Sequence, residues 1–72
     1  MSIRSPKFTG KILIKKLLAH GFVIMRIRGS HYILKHDDGR QTVIPVHKGE
    51  IIGPGLLNKI QKDVEIDFFK KP

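Results

Sequence analysis

The sequence predicts a small α+β domain in the order helix, three antiparallel strands, helix, with both helices on one face of the sheet. Three observations carry this prediction. A lysine-rich amphipathic pattern ends at a glycine, two turn signals divide the middle of the chain into three short β-rich runs, and a second amphipathic pattern follows a Gly-Pro-Gly.

The first helix is expected over about Gly10 to His20, with Thr9 as N-cap and Gly21 as the left-handed residue that ends it. At 100° per residue Leu13, Ile14, Leu17 and Leu18 fall within one arc of roughly 140°, with Gly10 inside it and Lys11, Lys15 and Lys16 outside it or at its rim. Phe22 to Arg28 reads as a strand with Val23, Met25 and Ile27 on one face and Ile24, Arg26 and Arg28 on the other. Gly29-Ser30 is a turn, and His31 to His36 a second strand. Asp38-Gly39 is a hairpin signal, and Gln41 to Val46 a third strand, placed at the sheet edge because Pro45 has no N–H to donate. The second helix starts near Pro54, carries Leu56, Leu57 and Ile60 as its apolar stripe and ends near Asp63. Val64, Ile66, Phe68 and Phe69 suggest a last turn docking on the core. Residues 1–8 read as a loose basic arm, 9–63 as the core and 64–72 as a short turn and tail, all one domain.

A domain of 72 residues buries about 60% of the surface its unfolded chain exposes, so its stability is marginal. With no cysteine, disulfides and thiolate zinc sites are excluded. No apolar run is long enough to span a bilayer and no secretory signal is visible, so the expected setting is the cytoplasm, away from membranes.

Charge is the loudest signal. Fourteen Lys and Arg against six acids give a formal +8. The first half holds Arg4, Lys7, Lys11, Lys15, Lys16, Arg26, Arg28 and Lys35 and not one acid, whereas the second half is balanced. Such asymmetry points to an anionic partner, nucleic acid first.

The chemistry-bearing residues are few. RNA carries its own nucleophile, the 2′-OH, so a catalyst must move protons and stabilise charge on phosphorus. Histidine suits the first task near neutral pH, and Arg and Lys the second. His31 opens a strand directly after Gly29-Ser30, where backbone N–H groups and the Ser30 hydroxyl can position a phosphate. A histidine at a strand start is by itself more often structural. Arg26 and Arg28 share a face of the first strand, and His31 and Lys35 share a face of the second. If those faces coincide, a basic strip surrounds His31, with Lys48 as a weaker contributor. Tyr32 and Leu34 take the opposite face, toward the core. Ser30 lacks the elbow of a serine hydrolase and reads as a turn or phosphate contact. His31, His36 and His47 with Asp37 or Asp38 offer ligand atoms for a metal, but the spacing is not diagnostic and no metal or cofactor is expected. His47 reads as a second substrate contact or a structural hydrogen-bond partner, and His36, just before the hairpin, as simply a polar residue.

Three patterns together resemble the HicA (YcfA-like) toxin family. These are Gly21-Phe22 after the lysine-rich helix, Arg28-Gly29-Ser30-His31 before a strand, and Val43-Ile44-Pro45-Val46-His47 followed by Pro54-Gly55-Leu56-Leu57 and Ile60. The resemblance runs from about Thr9 to Asp63. It departs at Leu56, where the family often has Thr, and at the longer arm of residues 1–8. It implies a fold like the double-stranded RNA-binding domain and an endoribonuclease that cleaves mRNA with His31 as its catalytic residue. It also implies a cognate HicB-like antitoxin that covers the site. The alternatives are a non-catalytic double-stranded RNA-binding module of the same fold and a regulatory protein whose basic surface binds an acidic protein.

Overall fold

The computed structural model describes residues 7–70. The elements follow the order α1 (Gly10–Ala19), β1 (Val23–Arg28), β2 (His31–Lys35), β3 (Gln41–Pro45) and α2 (Pro54–Val64). The strands form one antiparallel sheet in the order β1-β2-β3, so β2 is central and Pro45 lies on an edge strand. This is the α-β-β-β-α arrangement predicted, an open three-stranded sheet with a helix at each end of the chain.

The local chemistry accounts for each boundary. The Thr9 hydroxyl accepts a 3.2 Å hydrogen bond from the Ile12 N–H, satisfying one free donor at the start of α1. Gly21, at φ 91°, lets the chain turn out of the helix into β1. The first hairpin turns on two residues, with Gly29 at φ 58° in the leading position that a primed turn reserves for glycine. The second hairpin needs more chain. His36 N–H bonds to the Arg40 carbonyl and Gly39 N–H to the His36 carbonyl, with Gly39 at φ 98°. Pro54 occupies the first turn of α2, where its missing N–H costs nothing. At the other end of α2, Glu65 turns left-handed (φ 56°) and the Arg40 guanidinium donates to the Val64 carbonyl.

The core lies between the helices and one face of the sheet. Leu13, Ile14 and Leu17 of α1, Leu57, Ile60 and Val64 of α2, and Leu34 and Ile44 of the sheet are buried together with Phe8, Phe22, Ile52 and Phe68. Thr42, buried on the same face, donates from its hydroxyl to the Asp63 carboxylate at 3.2 Å and so ties β3 to α2. Both helices pack on β3, which leaves β1 as an overhang with all six residues exposed.

Five details depart from the sequence reading. Leu18 is 45% exposed and Leu56 38% exposed, so neither belongs to its helix's buried stripe; Val64 takes the place expected of Leu56. Phe8, assigned to the arm, is core. Its ring stacks edge-on to Phe69 at 5.3 Å, and its carbonyl accepts the Ile52 N–H at 2.8 Å. Residues 1–6 of that arm lie outside the described residues. Strict alternation in β1 fails because Met25 is unpaired: Ile24 faces Leu34, but Arg26 faces Ile33. His36 is half-buried with its ring edge-on to Phe22 at 5.0 Å, a packing contact as well as a polar one. Phe68 is buried in the last turn as expected, whereas Phe69 is 44% exposed.

Two consequences are measurable. Gly10 lies against β3, and a Cβ there would overlap the Pro45 carbonyl, which is backbone and cannot rotate away. Alanine is favoured over glycine inside helices by up to about 1 kcal/mol, but the overlap dominates. Gly10→Ala is expected to lose about 1–3 kcal/mol in denaturant melts. Asp38 accepts the Arg40 backbone N–H at 3.0 Å and the guanidinium at 2.8 Å, contacts that hold its pKa below the ordinary 3.8. A lowered carboxylate pKa stabilises the fold fully above 3.8, and the effect is lost as pH falls through the folded-state value. Asp38→Asn is therefore expected to be less stable than wild type at neutral pH, the difference closing in strong acid, as read by unfolding curves across pH.

Candidate active site

The side of the sheet away from the helices is set by the register. Residues directly opposite one another in an antiparallel pair share a face, and buried Leu34 marks the inner one. Ile24 and Tyr32 lie with Leu34, as do Thr42 and Ile44 through β3. The outer face therefore carries Arg26 and Arg28 from β1, His31, Ile33 and Lys35 from β2, and Val43 and Pro45 from β3. The bulge at Met25 separates Ile24 from the two arginines. Without an extra residue, all three would alternate onto one face.

His31 stands directly across from Arg28 on one side and Pro45 on the other. The Gly29-Ser30 turn is tied to the end of β3, since the Ser30 carbonyl accepts the Val46 N–H at 2.6 Å. That bond carries the chain after β3 back beside the turn. His47, one residue further on, has its ring centroid 6.5 Å from that of His31, the planes nearly perpendicular at 84°. Both imidazoles are exposed. A hollow of about 70 Å³ begins at Pro45 and His47 and is lined further by Glu50, Ile52, Gly53 and Leu56. The start of α2 borders it, and Gly53 offers that helix no side-chain cap, so its positive end is left for other acceptors.

The predicted residues are brought together unevenly. Gly29, Ser30, Arg28 and His31 form one turn and its flanking pair. Arg26 is two residues from Arg28 on the same face. Lys35 shares that face but sits four residues from His31, about 13 Å at the rise of a strand. Lys48 follows His47 in an exposed loop. Among the described residues, the ion pairs join Asp38 to His36 and Arg40 and Asp63 to Lys59, so Arg26, Arg28, Lys35 and Lys48 are not paired with a carboxylate there. No three of His, Asp and Glu among the described residues stand close enough to hold a metal ion.

A hollow of about 400 Å³ between the end of α1 and the C-terminal turn is lined by Lys16, His20, Ile66 and Phe68 and contains none of these residues.

The family model for the HicA toxin of bacterial toxin–antitoxin systems matches residues 10–66. This chain belongs to the HicA toxin family. No curated protein and no solved structure matches it. HicA membership makes the chain the toxin of a toxin–antitoxin pair, within a family of RNase toxins that have a cognate antitoxin as partner. The match begins at α1 and ends just beyond α2, so it spans every element that positions His31. In this HicA chain no described helix is long and apolar enough to cross a membrane.

The proximity of His47 to His31 was the part of the site least visible in sequence. Sixteen positions separate them, and what joins them is the Val46–Ser30 hydrogen bond. The available signal was Pro45, which ends β3 opposite His31 and sends the next residues past the turn.

The turn itself can be tested. Gly29 is left-handed with open space around it, so a β-branched side chain there meets backbone strain and not a clash. Gly29→Val is expected to cost about 1–2 kcal/mol. It should shift the amide resonances of Arg28 to His31 while leaving those of the Asp37–Arg40 loop in place.

Proposed function

We propose that this HicA protein is an endoribonuclease that cleaves mRNA in the cytoplasm, with His31 as a catalytic residue and without a metal ion. The observation that carries the reading is the register: it sets His31 at a glycine turn, on the uncovered face of the sheet, directly opposite Arg28. Arg28 and Arg26 hold neighbouring phosphates of the RNA, with Lys35 on the same face and Lys48 in the loop after β3 as further contacts. The Gly29 and Ser30 N–H groups and the Ser30 hydroxyl position the reacting phosphate. His31, exposed and borne on the central strand, exchanges the proton with the 2′-OH.

The same face accounts for control. Val23 and Val43 lie exposed on it among the cations, a mixture of apolar and basic surface that a HicB-like antitoxin with acidic and apolar groups can cover. Such a partner would shield His31 and stabilise a marginal domain by mass action.

The test is degradation of purified mRNA in EDTA by wild type and by His31→Ala. Wild type is expected to cleave and the variant to lose at least about a hundredfold in rate while still binding RNA. Arg28→Ala should weaken binding and reduce its salt dependence. Binding without cleavage by either protein would leave a non-catalytic RNA-binding module in place of a nuclease.

A further inference from the structure

Phosphodiester cleavage by an internal 2′-OH requires two proton transfers, one from the nucleophile and one to the leaving 5′-oxygen. The reading above, on which this inference rests, assigns one of them. We propose that His47 performs the other, as the general acid that protonates the 5′-oxygen, with His31 as the general base.

The geometry carries the assignment. A centroid separation of 6.5 Å is too long for the two imidazoles to bond each other. It is short enough for a phosphate with attacking and leaving oxygens in line to touch one ring at each end through hydrogen bonds of about 2.8 Å. The near-perpendicular planes keep the rings from stacking shut. The spacing is held by backbone: the 2.6 Å bond from Val46 N–H to the Ser30 carbonyl joins the residue before each histidine. The His47 carbonyl also accepts the Glu50 N–H at 2.9 Å, which folds the loop behind it. Both rings are open to a bound strand.

Nearby charges fit the division of labour. Arg28, a fixed cation, stands across from the histidine that must be neutral to take a proton. Glu50 lines the same hollow as the histidine that must carry one. Lys48, adjacent to His47 in the exposed loop, is assigned a phosphate contact. In the step, the 2′-oxygen forms a bond to phosphorus as its proton passes to His31. The bond from phosphorus to the 5′-oxygen breaks as that oxygen takes a proton from His47. The products are a 2′,3′-cyclic phosphate and a free 5′-hydroxyl, and water restores both histidines.

The experiment uses an oligoribonucleotide spanning a linkage that wild type cleaves, made twice, once normal and once with sulfur replacing the bridging 5′-oxygen. A thiolate departs without a proton. His47→Ala is expected to cut the normal substrate at least about a hundredfold more slowly than wild type, yet the sulfur substrate within a few-fold of it. His31→Ala should be slow on both. Matching amide spectra establish that both variants fold. Equal slowing of the two substrates by His47→Ala, or a wild-type rate on the normal one, would overturn the proposal, and rescue of His31→Ala in place of His47→Ala would overturn the assignment of roles. A wild type that cleaves neither substrate nor any mRNA would instead remove the nuclease reading itself.

Discussion

The pairing register of β2 is the constraint on which everything else in this domain depends. A strand has a side-chain period of two, so a slip of one residue exchanges its faces. In β2 that slip would expose Leu34, which is fully buried, and turn His31 and Lys35 into the core. Core packing and site geometry are thus two expressions of one register. It is pinned at the β1 side by the two-residue turn at Gly29 and at the β3 side by the Val46–Ser30 bond. Hydrophobic burial of Leu34 and Ile44 supplies the energy that makes the alternative costly.

The helix layer is narrower than the sheet. Both helices lie on β3, held there by the Gly10 approach to Pro45 and the Thr42–Asp63 hydrogen bond, and β1 extends beyond them. A chain this short cannot cover both surfaces of three strands. The consequence is a sheet whose outer face is covered by neither helix and whose cations are free of carboxylate partners among the described residues. Asp38 organises the β2–β3 loop, and Asp63 joins α2 to β3.

Much of this was legible in residue order. Periodicity 3.6 against periodicity 2, the caps at Thr9 and Gly21, and the glycines at turns define five elements with boundaries within a residue or two, because these signals are local and backbone sterics decide them. The basic strip was legible only as a condition, that two faces coincide. The bulge at Met25 makes the condition true for Arg26 and Arg28, and no local preference announces a bulge. Leu18 and Leu56 were misplaced because a helical wheel gives a direction but not the width of what it meets, and Phe8 because its partners Ile52, Phe68 and Phe69 are distant in sequence.

By itself, then, the sequence determined the kind of elements, their order, the excess of positive charge and the resemblance that singles out His31, since each depends on residue type and near neighbours. Only the tertiary structure decided which face holds the cations, that β1 is left uncovered, and that His47 comes within 6.5 Å of His31. Those outcomes depend on hydrogen bonds and packing between residues far apart in the chain, where pairing register, and not local propensity, fixes what meets what.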